Sequence, residues 1–170
     1  MEIGQIGVLG AGAMGSGIAH AVAQAGLPVR MMDLSEGLVK GGIEKIGKNL
    51  SRSVEKGKLS PQQKEEILNR IESTIDLEEL KDCGLIIEAV LEDLALKLSL
   101  FQRLNALCPS ETIFASNTST LSITRMAAGI GRSRSLLGLH FFNPVPAMRL
   151  TEVIPGIQTS RQAVETGMDF

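Results

Sequence analysis

Apolar residues along this chain fall into two kinds of segment, which alternate from one end to the other. Short, nearly unbroken apolar runs occupy Ile6–Leu9, Val29–Met32, 71–75, 84–90, Ile113–Ser116, 135–142 and 150–154. Runs without polar alternation predict strands covered on both faces, as in a parallel sheet. The other segments space their apolar residues three and four apart, the mark of an amphipathic helix. After the first run, 18–23 has helical composition. From Leu38 the pattern continues through Val39, Gly42, Ile43, Ile46, Leu50 and Val54, and a third such segment runs from Leu94 to Leu107 before Pro109 ends it. Ser60, Pro61 and Gln63 form a capping box that predicts a helix to about residue 70. With the preceding helix it makes an antiparallel pair inserted after the second strand. Residues 76–80 read as a turn, 121–128 as a short helix, and Ser160 as the N-cap of a last one. There is no repeat, low-complexity tract or linker. The prediction is a single α/β domain over 1–170 with a doubly wound, mostly parallel sheet.

Composition narrows the class of partner. A chain of 170 residues can bury about 70% of its unfolded surface, enough for a full core. A net charge of −2, a pI near 5.7 and the absence of Trp and Tyr argue against a nucleic-acid partner. No apolar run approaches the roughly 20 residues that span a bilayer, and the N-terminus lacks a basic-plus-apolar leader. The expectation is a cytoplasmic protein without a membrane partner. Cys83 and Cys108 lack metal-type spacing and read as buried free thiols.

The first strand stops at a glycine cluster, Gly10-Ala11-Gly12-Ala13-Met14-Gly15, and a helix follows. Strand, glycine turn and helix make a dinucleotide-binding unit. Gly10 permits the tight turn, Gly12 lets backbone approach a pyrophosphate, and Gly15 lets the helix pack on the strand. The second strand ends in Asp33, eighteen residues past Gly15. An acid there is placed to bind the ribose hydroxyls of NAD and to repel the extra phosphate of NADP.

Four further features bear on chemistry. His140 closes an apolar strand and precedes Phe141-Phe142-Asn143-Pro144-Val145-Pro146, while Glu152 lies on the next strand, able to return to the imidazole. Such a pair suits general acid/base catalysis: the carboxylate orients the ring and the ring exchanges the proton. The turn Ser116-Asn117-Thr118-Ser119 offers hydroxyls and an amide to a substrate oxygen. Glu88, a charge inside an apolar run, is placed to face the ligand crevice. Lys40, Lys48, Arg52 and Lys56 line one side of the long helix, either solvated or seating a phosphate-rich ligand. His20 reads as a packing residue. No Gly-x-Ser-x-Gly elbow surrounds Ser116 or Ser119, so a serine hydrolase is disfavoured.

The glycine turn, Glu88-Ala89, Ser116-Asn-Thr-Ser119 and Gly138-Leu-His140-Phe-Phe-Asn143-Pro-Val-Pro together resemble the NAD-binding domain of the L-3-hydroxyacyl-CoA dehydrogenases. The bacterial 3-hydroxybutyryl-CoA dehydrogenase type is nearest in length and in Glu55-Lys-Gly-Lys-Leu59, and the likeness covers essentially the whole chain. The resemblance implies a Rossmann-like fold, NAD as cofactor, and reversible oxidation of a (3S)-3-hydroxyacyl-CoA to the 3-oxoacyl-CoA. It implies that His140 is the base, Glu152 its partner, and Ser119 and Asn143 the holders of the substrate oxygen and nicotinamide end. Asp33 then binds the adenosine ribose, Glu92 and Lys97 lie beside the cofactor, and Asn49, Lys56 and Ser119 meet the CoA substrate. At Asn49 some members carry serine.

The resemblance also implies an all-helical domain after this one, which supplies a catalytic asparagine, closes the site and forms a homodimer; this chain stops at Phe170. Hydride transfer needs a dry, closed site, so the 170-residue chain is expected to bind NAD(H) and turn over poorly. Two alternatives remain: a CoA-independent hydroxy-acid dehydrogenase, sensitive to neither Lys48, Arg52 nor Lys56, and a nicotinamide-binding module without chemistry. Acyl chain length and pathway, whether fatty-acid oxidation, butyrate formation or aromatic degradation, are open.

Overall fold

The computed structural model describes residues 3–170. Among them the apolar runs form one seven-stranded sheet: β1 (Ile6–Leu9), β2 (Val29–Met32), β3 (Ile71–Thr74), β4 (Leu85–Glu88), β5 (Ile113–Ser116), β6 (Leu136–Phe141) and β7 (Thr151–Pro155). Their spatial order is β3-β2-β1-β4-β5-β6-β7. The first six are parallel, and β7 runs antiparallel to β6. The helices are α1 (Ala13–Gln24), α2 (Glu36–Glu55), α3 (Pro61–Leu68), α4 (Leu94–Leu107), α5 (Ile123–Ile130) and α6 (Arg161–Asp169). None is long and apolar enough to cross a membrane.

Burial explains the unbroken apolar runs. Ile6, Val8, Leu85, Ile87, Ala115, Leu137 and Leu139 point to one face, where α1, α2 and α6 cover them with Ile18, Val22, Ile46, Leu50 and Ala163. Leu9, Ile86, Phe114 and Leu136 point to the other, against Phe101 and Leu104 of α4 and Met126 of α5. Each central strand thus needs apolar side chains at odd and even positions alike. Cys83 and Cys108 are free and buried, and burial pushes the Cys83 thiol up to about 12, so it stays protonated and inert.

Some boundaries differ from the periodic pattern, each for a local reason. The first helix begins at Ala13, so Gly15 and Gly17 lie inside it. Helix interiors disfavour glycine, but here close packing requires it: a Cβ on Gly15 would sit 1.9 Å from the Gly10 carbonyl oxygen. The capping-box helix stops at Leu68, because Ile71 already pairs in β3. The turn at 76–80 is a short 3₁₀ helix over Leu77–Leu80, begun by the Asp76 carboxylate, which accepts from the Glu78 amide at 2.9 Å. The helix expected over 121–128 is displaced to α5, since Ser122 caps it and Gly131, at φ 70°, ends it. Ser160 does cap α6, accepting from the Ala163 amide.

Two tests follow from this packing. Gly15→Ala forces a methyl into the Gly10 carbonyl and should lower unfolding stability by about 1–3 kcal/mol or more. Gly12→Ala meets open space, and urea titration should show it costing less than about 1 kcal/mol. The second concerns His20, which is buried on α1 with neither ring nitrogen hydrogen-bonded. Burial lowers its pKa below the ordinary 6.5; the nearby Gln24 side chain opposes the shift without a bond of ordinary hydrogen-bond geometry. Below pH 6.5 the unfolded chain therefore takes up a proton that the folded chain refuses. Stability should fall as pH drops below that value and recover above it, and His20→Leu should flatten the slope.

Candidate active site

The chain leaves β1 toward β2 and later returns on its other side at β4, so the loops at their carboxyl ends diverge and open a crevice. The crevice is about 360 Å³ and is lined by Met14, Ala89, Val90, Glu92, Lys97, Asn117, Ser119, His140, Phe141, Phe142 and Asn143. Thus six of the predicted site residues, Met14, Glu92, Lys97, Ser119, His140 and Asn143, share one cavity.

At one end stands the glycine turn. Gly10 adopts φ 100°, which an L side chain resists, and its added Cβ would lie 2.7 Å from the Ala89 carbonyl oxygen. A Cβ on Gly12 would meet nothing within 4 Å, so the backbone there is open to a ligand. Gly12 also leaves α1 without a side-chain cap, so the Ala13, Met14 and Gly15 amides have no intrahelical acceptor at a positive dipole end. An approachable turn with uncapped donors fits a pyrophosphate. Asp33 is fixed beside it: Oδ2 accepts from the Ala11 amide at 2.7 Å and Oδ1 from the Leu34 amide at 2.7 Å. Ionised carboxylates carry about four acceptor sites, so capacity remains for ribose hydroxyls.

At the other end β7 returns beside β6, and the ladder sets Glu152 directly opposite His140. Opposed residues share a face of the sheet, and His140 Nδ1 lies 2.8 Å from Glu152 Oε2. The Phe142 ring packs at 4.6 Å from the imidazole centroid. With Nδ1 engaged by Glu152, the second ring nitrogen is the one left to serve a ligand. Asn143 and Ser119 are both exposed at the crevice.

The floor differs from expectation. Glu88 does not face the crevice; it is 0% exposed. Its Oε1 accepts from Lys97 Nζ at 2.6 Å and the Val90 amide at 2.8 Å, and its Oε2 from Ser116 Oγ at 2.6 Å. Ser116 is also fully buried, so it cannot donate to a substrate: its hydroxyl is committed to Glu88. Thr118 is buried too and donates to Glu92 Oε1, which also accepts from Thr120 Oγ1 at 3.1 Å. Lys97, 1% exposed, reaches Glu92 Oε2 at 3.1 Å as well. Burial pushes the Glu92 carboxyl up, but hydrogen bonds from Thr118 and Lys97 outweigh it and hold it below the ordinary range. Of the 116–119 turn only Ser119 is exposed, while Asn117 Oδ1 accepts from the Phe141 amide at 2.8 Å and ties the turn to the strand of His140. The Asn117 amide, expected with the turn's hydroxyls to meet a substrate oxygen, lines the crevice, with its oxygen engaged by that strand.

Asn49 and Lys56 are exposed, on α2 and just past its end, with Lys40, Lys48 and Arg52. None of them lines the crevice.

A glycine turn at the mouth of a helix and a histidine–carboxylate contact on the neighbouring strands meet at one crevice of a doubly wound sheet, the arrangement of a nucleotide-binding Rossmann-like domain. The chain belongs to the 3-hydroxyacyl-CoA dehydrogenase family: residues 5–170 match the model described as "3-hydroxyacyl-CoA dehydrogenase, NAD binding domain". It is 46% identical over 169 residues to a probable 3-hydroxybutyryl-CoA dehydrogenase of Bacillus subtilis (strain 168), covering 99% of this chain and 58% of that protein. A 3-hydroxybutyryl-CoA dehydrogenase of Clostridioides difficile is 43% identical over 162 residues, with 95% and 58% covered. The crystal structure of (S)-3-hydroxybutyryl-CoA dehydrogenase from Ralstonia eutropha superposes with a TM-score of 0.95 at 39% identity, over 97% of this chain and 58% of that one. The chain therefore spans somewhat more than half the length of these relatives. Its cofactor is NAD.

The buried ion pair has a measurable consequence. Lys97→Met leaves the Glu88 carboxylate without its cation and should cost about 3–5 kcal/mol in unfolding free energy. Combining it with Glu88→Gln should cost less than the sum of the two single changes, and a double-mutant cycle by urea titration reads the difference.

Proposed function

We propose that this chain is the cofactor domain, over residues 1–170, of an NAD-dependent dehydrogenase that interconverts (3S)-3-hydroxyacyl-CoA and 3-oxoacyl-CoA. The observation that carries this reading is the 2.8 Å His140–Glu152 contact in the same crevice as Ser119, Asn143 and the end of α1. NAD, when bound, supplies the hydride acceptor. In the oxidising direction His140 takes the hydroxyl proton of the substrate on its outer nitrogen while the C3–H bond yields its hydride and the carbon–oxygen double bond forms. Glu152 accepts from Nδ1–H, which fixes the tautomer and stabilises the imidazolium that results. Ser119 and Asn143 hydrogen-bond the substrate oxygen and hold the nicotinamide end.

The glycine turn from Gly10 to Gly15 takes the pyrophosphate, and Asp33 the adenosine ribose. Glu92 and Lys97 form the wall beside the cofactor, Lys97 by anchoring Glu92 rather than by reaching out, since its ammonium is enclosed by two carboxylates. Asn49 and Lys56, outside the crevice, are assigned to the CoA moiety, whose length permits contacts beyond the reacting centre. The further length seen in the relatives is assigned to closure of the site and to a homodimer.

The test is His140→Gln, made in this chain extended to the length of its relatives. NADH affinity should stay within about twofold, while NADH oxidation by acetoacetyl-CoA falls by about 10²–10⁴-fold. Loss of NADH binding would make His140 structural. NADH binding with no turnover in the extended wild type would leave a nicotinamide-binding module without chemistry.

A further inference from the structure

We propose that Glu92 makes the crevice discriminate between the two redox forms of the cofactor, favouring the cationic nicotinamide of NAD+ over the neutral ring of NADH. This rests on the reading that hydride transfer takes place in this crevice. The charges at its wall do not cancel. Glu88 and Lys97 neutralise one another, both at 1% exposure or less. Glu92 is 41% exposed and lines the cavity, so its charge is the one presented to a ligand. The second carboxylate of the site, Glu152, stands behind His140. Lys97 is the only Lys or Arg in the lining, and its ammonium is already held between Glu88 and Glu92. Away from the α1 end, the side chains of the cavity therefore carry a net negative charge, centred on Glu92.

The ring must enter that field. A hydride passes only between carbons in contact, so the nicotinamide lies beside the carbon whose hydroxyl His140 serves, and His140 and Glu92 line the same 360 Å³. The adenine, riboses and pyrophosphate are identical in the two forms, so their contacts cancel in the ratio of affinities. What remains is one positive charge, present in NAD+ and absent from NADH, near a partly exposed carboxylate. Glu92 is partly solvated, and a unit charge about 4 Å away, screened as in bulk water, alters affinity by about three- to tenfold.

Glu92 also accepts hydrogen bonds from Thr118 and Thr120, which flank Ser119, so a purely structural role must be separated from the charge. Glu92→Gln separates them: an amide oxygen still accepts from both hydroxyls while the charge is gone, and Lys97, losing its contact with Oε2, keeps its bond to Glu88. A structural defect weakens both nucleotides together; loss of charge weakens only NAD+.

The experiment is titration of this chain and its Glu92→Gln variant with NAD+ and, separately, NADH, with thermal melting to confirm that both are folded. The expected result is a rise of about three- to tenfold in the NAD+ dissociation constant, with NADH unchanged within about twofold. Glu92→Asp should keep the wild-type ratio. Equal weakening of both nucleotides, or an unchanged ratio, overturns the proposal. Should Glu92→Gln not fold, the wild-type ratio is measured from about 0.01 M to about 1 M salt, where the screening length falls from about 30 to about 3 Å. Contraction of the NAD+ preference supports the proposal and constancy overturns it. A wild type that binds neither nucleotide removes the underlying assignment itself.

Discussion

The Glu88–Lys97 ion pair is the contact on which the shape of the crevice depends. One carboxylate at the end of β4 receives the Lys97 ammonium from α4, the Ser116 hydroxyl from β5 and the Val90 amide of its own loop. Its backbone carbonyl also accepts from the Asn117 amide at 2.8 Å. Two charges removed from water at such a point carry a heavy desolvation cost, offset only when hydrogen bonds surround them, as they do here. In return two loops that no strand pairing controls acquire one arrangement. Lys97 passes the constraint to Glu92, Glu92 to Thr118 and Thr120, and Ser119 between them is held without bonding to the network itself.

The opposite wall is built by another means. There the β6–β7 ladder sets the geometry, and His140 meets Glu152 because antiparallel partners oppose each other directly. Asn117 links the two walls by accepting from the Phe141 amide. The glycine turn contributes absence rather than presence: no side chain at Gly12, no cap on α1, and donors left for an anion.

Most of the fold was legible in the sequence because both faces of the sheet are covered. That demand imprints unbroken apolar runs on β1, β4, β5 and β6, and helical periodicity on α2 and α4. Boundaries were less legible where a cap or a close approach outranked periodicity, as at α5, moved by Ser122 and Gly131, and at α1, which runs through two glycines. In the site, the His140–Glu152 contact was readable from two adjacent strands, and Asp33 from its place at the end of β2. The roles of Glu88 and Ser116 were not. Both are polar residues at strand ends beside a crevice, and only the position of Lys97 on a helix nine residues further on decides that they bond inward.

Because the His140–Glu152 pairing belongs to the ladder, the segment from Phe142 to Leu150 does not have to hold the two side chains together. Beyond Asn143 that loop can change in length or sequence while His140 and Glu152 stay opposed. A slip of one residue in β7 would instead carry Glu152 to the far side of the sheet and strand the imidazole. The opposed pair and the connection between its strands are thereby separable parts of one hairpin-like unit, and the register of the ladder, rather than the course of the loop, keeps the imidazole beside its carboxylate.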